Sequence, residues 1–154
     1  PWLDADAAVE ERSGRSIAAL VGERGEDAFR ALEAEVLRDL VPAFAGVLAT
    51  GGGAVLREEN RRLLRARGRP VVWLQASADT IRRRLAGDPA TAARRPALGG
   101  RDVLEEVADA LVAREPLYRE TADAAFDTTA EPPAAIAGRI LAWLEGGAVP
   151  EEAR

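Results

Sequence analysis

Four residue types are missing from this chain: cysteine, histidine, lysine and methionine. Without cysteine there is no disulfide framework and no thiol nucleophile. Without histidine there is no histidine-based triad, and with both absent the usual zinc sites fall away. The lack of cysteine says nothing by itself about compartment. All 21 basic residues are arginine. With no methionine and Pro1 in first place, the chain reads either as one that lost an initiator methionine before proline or as a piece of a longer chain. Long hydrophobic runs are missing as well: none reaches membrane-spanning length and no signal peptide is visible, so the expectation is a soluble, cytoplasmic protein. An excess of positive charge is also missing. The net charge of −5 argues against a general nucleic-acid binder.

What is present suffices for one folded domain. Of 154 residues, 47% are apolar, enough to build a core. The stretch that organises the rest is Thr50-Gly51-Gly52-Gly53-Ala54. Before it lies Gly46-Val47-Leu48-Ala49, with the length and branching of a buried strand. After it comes an arginine-rich helical pattern, Glu58 to Arg67. Three consecutive glycines strip every side chain from the turn, so a ligand could approach the backbone and meet N–H groups directly. The plainer reading is a flexible joint.

Elsewhere, strand and helix patterns alternate. A strand-like entry at Pro1 to Leu3 leads into Asp4-Ala5-Asp6 and a helix from Ala7 to Arg12, closed by Gly14. The two aspartates read either as N-caps or as a pair that binds a metal or hydroxyls. Ser16 can cap a second helix, and a third runs from Glu26 to about Val41, with Phe29, Leu32, Val36 and Leu40 on its core face. Arg30 and Glu33 on that helix are spaced to pair; the plainer reading is a surface ion pair of small worth. Pro70 to Gln75 is a second strand, and Ser77 can cap a helix from Asp79 to Ala86 that carries Arg82, Arg83 and Arg84. Residues 87–100, with Arg94, Arg95 and Pro96, have no apolar period and suggest a lid over an anion. Val103 to Ala113 is helical, Pro116 suits the start of a new helix, Ala124 to Thr128 is a strand, and Ala134 to about Glu145 closes the domain. The alternation gives an α/β fold with a parallel sheet.

Taken together, Asp4-Ala5-Asp6, Gly14-Arg15-Ser16-Ile17, Gly25-Glu26 with Phe29-Arg30 and Glu33, Thr50-Gly51-Gly52-Gly53-Ala54, Arg95-Pro96, and Arg114 with Pro116-Leu117-Tyr118 resemble the shikimate kinase family, P-loop kinases of the nucleoside monophosphate kinase type. The resemblance covers about residues 1–145, with 146–154 as a tail. It implies a three-layer α/β/α fold and transfer of a phosphoryl group from ATP to shikimate, on the route to aromatic amino acids. It further implies that Asp4 helps to hold Mg²⁺ through water and that Asp6 binds the substrate hydroxyls and orients the attacking one. Arg30 and Arg114 would grip the substrate carboxylate, and Gly51, Gly52 and Gly53 would form the backbone wall of its site. Arg95 would act from the lid on the transferring group and, with Arg84, on the nucleotide. The partners implied are small molecules, shikimate and ATP, with no nucleic acid or membrane, and a monomer in the full-length form.

The chain departs from the family pattern in one large respect. It has no strand followed by a Walker A loop G-x-x-x-x-G-K-[ST], and no lysine that could stand in. In the family that strand is central in a sheet of order 2-3-1-4-5, so the expectation is an open gap in the sheet, marginal folding and no activity for the chain alone. Smaller departures are Ala97 in the lid, where Arg-Pro-Leu-Leu is usual, and Thr129-Ala130 without a basic residue. Two alternatives stand beside this reading: a gluconate kinase-like enzyme, and a non-catalytic remnant that binds a carboxylate or a partner protein.

Overall fold

The computed structural model describes residues 1–87 and 103–146. The proposed lid, with Arg94, Arg95 and Pro96, and the tail from residue 147 lie outside the described residues. The chain begins with β1 (Trp2–Asp4), α1 (Ala5–Ser13), α2 (Ile17–Arg24), α3 (Glu26–Ala43) and β2 (Val47–Ala49). A single 3-10 turn (Ala54–Leu56) follows, then α4 (Glu58–Arg67), β3 (Val72–Gln75), α5 (Ala78–Ala86), α6 (Val103–Thr121), β4 (Ala124–Asp127) and α7 (Pro133–Leu144).

Local chemistry sets several of these boundaries. Asp4 caps α1: its carboxylate accepts the Asp6 N–H at 2.9 Å. Ser16 accepts the Ala19 N–H and Ser77 the Thr80 N–H, each at 3.2 Å, which starts α2 and α5 where the sequence suggested. Gly14 stops α1 with φ of +66°, a left-handed conformation that costs glycine nothing.

The expected break at Pro116 is not found. The helix runs on from Val103 to Thr121 with Pro116 inside it, and α3 likewise continues through Pro42. A proline removes one N–H and orphans the carbonyl four residues earlier. For Pro116 that carbonyl belongs to Val112, which is 74% exposed, so water can reach it. The pair Glu115–Arg119 adds an i,i+4 bond across the same turn, at 2.7 Å.

The strands are all parallel, as crossover helices require, but they form two ladders rather than one sheet. β1 pairs with β2 in the register Trp2↔Val47, Leu3↔Leu48, Asp4↔Ala49. β3 pairs with β4 from Val72↔Ala124 to Gln75↔Asp127. Among the described residues, neither β2 nor β3 has a strand on its other side. Apolar side chains stand exposed on these strands: Trp2 at 75%, Val47 at 69% and Leu74 at 58%.

Three apolar clusters hold the elements together. Ala5, Leu37, Val41, Ala54 and Leu64 join α1, α3, the 3-10 turn and α4. Val9, Ile17, Leu20, Phe29 and Val36 join α1, α2 and α3. Ala124, Phe126 and Ile136 anchor α7 on β4, with Trp143 edge-on to Phe126 at 6.0 Å. The α6 helix packs against the 3-10 turn and α4, and its Tyr118 ring stacks on Trp73 of β3, so it touches both ladders.

Candidate functional site

Ligands on open α/β sheets collect at the carboxyl ends of the strands, where loops lead into helices. At the ends of β1 and β2 the chain places Asp4, Asp6 and the glycine turn. Gly51 sits so close to Asp6 that a Cβ there would lie 3.0 Å from the carboxylate. Gly53 is tighter still: a Cβ would overlap the Arg30 guanidinium. The turn is therefore packed glycine against charge, and the reading of a flexible joint does not hold. Gly52 faces Tyr118, whose hydroxyl donates to the Gly52 carbonyl at 2.6 Å.

Arg30 is fixed from three sides. Glu26 accepts from Nη2 at 3.2 Å, Glu33 from Nη1 at 3.0 Å, and the guanidinium lies 4.6 Å from the centre of the Phe29 ring. Both Glu33 oxygens accept from Nη1, at 3.0 and 3.1 Å, so the capacity left for a further carboxylate lies on Nη2, which carries two hydrogens and makes one of these bonds. Glu33 is no surface partner, as its spacing alone had suggested. Its side chain is 2% exposed and that of Arg30 16%. Burial raises the Glu33 pKa above its ordinary value of 4.5, opposed by the charge and hydrogen bond of Arg30; Asp6 pushes it further up and Arg114 pulls it down. Arg114, on α6, thus acts on the same buried carboxyl as Arg30 and Asp6. The structure brings Asp6, Arg30, Gly51, Gly52, Gly53 and Arg114 into one neighbourhood.

Behind the glycines, α4 reaches back to hold the 3-10 turn. Buried Asn60 donates to the Ala54 carbonyl at 3.0 Å, and Arg61 donates to the Val55 carbonyl at 2.8 Å. Arg61 also faces Glu120 of α6, at 3.3 Å. The basic helix is mostly solvated, yet its first turn serves the site.

Arg84 stands elsewhere. It donates to the hydroxyl of Thr128 at 2.9 Å and to the Thr128 carbonyl, at the end of β4. A cavity of about 500 Å³ opens there, lined by Trp73, Gln75, Ser77, Leu111, Asp127 and Thr129 among others. Asp127 has its pKa lowered by hydrogen bonds from the side chain and backbone of Thr129, with smaller help from Arg139 and Arg84. No group of three or more metal-ligating side chains occurs among the described residues. Asp4 offers one carboxylate with an oxygen committed to its cap. That suits a magnesium ion whose other ligands are water and phosphate, the usual arrangement for this ion.

Sequence reasoning quoted Tyr118 without giving it a role. The available signal was its i+4 spacing from Arg114, which puts both on one face of α6. The burial of Glu33 had no such signal, because distant segments create it.

A family model described as shikimate kinase matches residues 1–145. A shikimate kinase from Nitratidesulfovibrio vulgaris is 49% identical over 121 residues, covering 79% of this chain and 68% of that protein. A shikimate kinase 2 from Yersinia enterocolitica is 41% identical, covering 91% and 78%. Among solved structures, a shikimate kinase from Acinetobacter baumannii in complex with shikimate matches with a TM-score of 0.85 at 33% identity, covering 94% of this chain and 78% of that one.

Proposed function

This chain belongs to the shikimate kinase family, and from that premise we propose that the pocket formed by Asp6, Arg30, the glycine turn and Arg114 binds shikimate. The family is one of kinases with ATP as co-substrate. The observation that carries the proposal is Gly53 pressed against a guanidinium that two glutamates already hold still. A carboxylate entering there meets a fixed fork, with no cost of ordering the arginine on binding. Arg30 and Arg114 take the carboxylate. Asp6 accepts from the substrate hydroxyls and turns the attacking oxygen toward the phosphoryl group. Gly51, Gly52 and Gly53 let the ring lie against backbone.

On the same proposal, Arg84 and the cavity at the ends of β3 and β4 serve the nucleotide, and Arg95, outside the described residues, acts on the transferring group. When bound, Mg²⁺ neutralises charge on the phosphates, and Asp4 would hold it through water. We assign the chemistry to a monomer in the cytoplasm, as in the family reading; separately, no helix among the described residues is long and apolar enough to cross a membrane.

Residues 1–154 alone bind shikimate but do not turn it over, on this reading. The chain contains no G-x-x-x-x-G-K-[ST] run and no lysine, so the Walker A cradle for the β- and γ-phosphates is not in this sequence. Titration calorimetry with shikimate, paired with a coupled ADP-release assay on the purified chain, is the test. We expect binding that Arg30→Ala or Arg114→Ala weakens by roughly 1.5–3 kcal/mol, the worth of a charge-assisted hydrogen bond. Turnover in the range of about 1–100 s⁻¹ seen for kinases would overturn the inactivity. Absence of shikimate binding would leave the non-catalytic remnant as the better reading.

A further inference from the structure

We propose that Tyr118 is the positioning residue of the glycine wall: its hydrogen bond fixes the orientation of the peptide between Gly52 and Gly53. The inference rests on the reading of this pocket as a shikimate site and adds a specific device to it. Three glycines in a row have no Cβ to restrict them, so a peptide plane among them can rotate at little cost. In a trans peptide the carbonyl and the following N–H point in opposite directions. The Tyr118 hydroxyl donates to the Gly52 carbonyl at 2.6 Å, a short bond, and so aims the Gly53 N–H away from α6. Gly53 is the residue packed on Arg30. The orientation that Tyr118 selects is therefore passed to the backbone beside the guanidinium.

Tyr118 is itself held in place. Its ring stacks on Trp73 at 5.3 Å, and the Arg119 guanidinium lies 5.5 Å from the same Trp73 ring. One helical turn earlier on the same face, Arg114 acts on the buried Glu33. A single face of α6 thus supplies one substrate cation and the brace for the opposite wall. The space at Gly52 agrees: among the described residues outside its own chain neighbours, a Cβ there would meet Tyr118 Oη, at 3.1 Å, and no other atom within 4 Å.

The test uses the 154-residue chain, with shikimate affinity read by calorimetry and amide hydrogen exchange read over residues 51–56. Tyr118→Phe keeps the ring on Trp73 and removes the hydroxyl. We expect exchange over 51–56 to quicken and shikimate affinity to fall about five- to tenfold, the loss of one hydrogen bond. Gly52→Ala should weaken binding in the parent chain, and that added loss should vanish in the Tyr118→Phe background, because the Tyr118 oxygen that the new methyl meets has gone. A role in general stability would lower the melting temperature without this coupling. If Tyr118→Phe leaves affinity within twofold, or leaves exchange unchanged, the proposal is overturned. Should the parent chain fail to bind shikimate, the substrate reading falls, and the exchange data alone decide whether Tyr118 orders the turn. Should Tyr118→Phe fail to fold, the residue is a core element and the positioning role is wrong.

Discussion

Gly53 and Arg30 share a space that admits only one of two things, a methyl group or a guanidinium. We expect Gly53→Ala to push the guanidinium off its Glu26 and Glu33 partners, so that stability falls and shikimate affinity drops about as far as in Arg30→Ala. Calorimetry beside a thermal melt checks this. Parent-like affinity in Gly53→Ala would separate the glycine from the arginine. Glu33 gives a second residue-scale expectation. Burial raises its folded pKa above the ordinary 4.5, despite Arg30 and Arg114, with Asp6 adding to the rise. The folded state therefore holds this proton more tightly than the unfolded chain does. The resulting stabilisation is fully present below about pH 4.5 and is lost as pH climbs through the folded-state value. Glu33→Gln is neutral throughout and lacks this dependence. Urea melts at a series of pH values should show the stability of the parent chain falling relative to Glu33→Gln as pH rises from 4.5. Parent stability that rises relative to Glu33→Gln over the same range would mean that the Arg30 ion pair outweighs burial.

At the scale of elements, the 3-10 turn and the first turn of α4 act together. Asn60 is buried and satisfies the Ala54 carbonyl, so Asn60→Leu, with the same number of side-chain heavy atoms and the same branch point, should leave that acceptor unpaired and cost at least about 1–3 kcal/mol. A urea midpoint unchanged by this substitution would mean that water replaces the amide. Elements of this kind were legible to the extent that their causes are local. Ser16 and Ser77 announce helix starts through their own side chains, and the helix from Glu58 to Arg67 is bounded as its pattern indicates. Asp4 was legible as a cap for the same reason. The continuation of α6 through Pro116 was not, because it depends on solvent reaching the carbonyl of Val112. The site was legible as a set of residue types: Asp6, Arg30, the glycines and Arg114 were all visible. What could not be seen was that Glu33 lies beneath them and Tyr118 beside them. Those facts come from α1, α3, the glycine turn and α6 meeting in space. The part of the site assigned to Arg95 falls outside the described residues.

Across the whole molecule, the two ladders share no strand, and each pairs segments far apart in sequence. The β1–β2 half has its own apolar clusters, and the β3–β4 half is anchored by Phe126. With strand edges open between them and Trp2, Val47 and Leu74 exposed, we expect a low melting temperature and a broad transition for the chain alone. A peptide that supplies a parallel strand with its loop and helix should raise both stability and activity; no effect on either would disprove the gap. The pocket, meanwhile, takes Asp6, Arg30 and the glycines from one half and Arg114 and Tyr118 from the other. A small molecule held by both adds to the packing of α6 on the 3-10 turn and α4 as a fastener between two ladders that share no strand. Scanning calorimetry should then resolve two overlapping transitions without shikimate. At a hundredfold excess over its Kd, ligand linkage worth about 2.7 kcal/mol should draw them into one. In this chain the substrate would contribute to cooperativity, and the melting profile would record whether the two halves behave as a single protein.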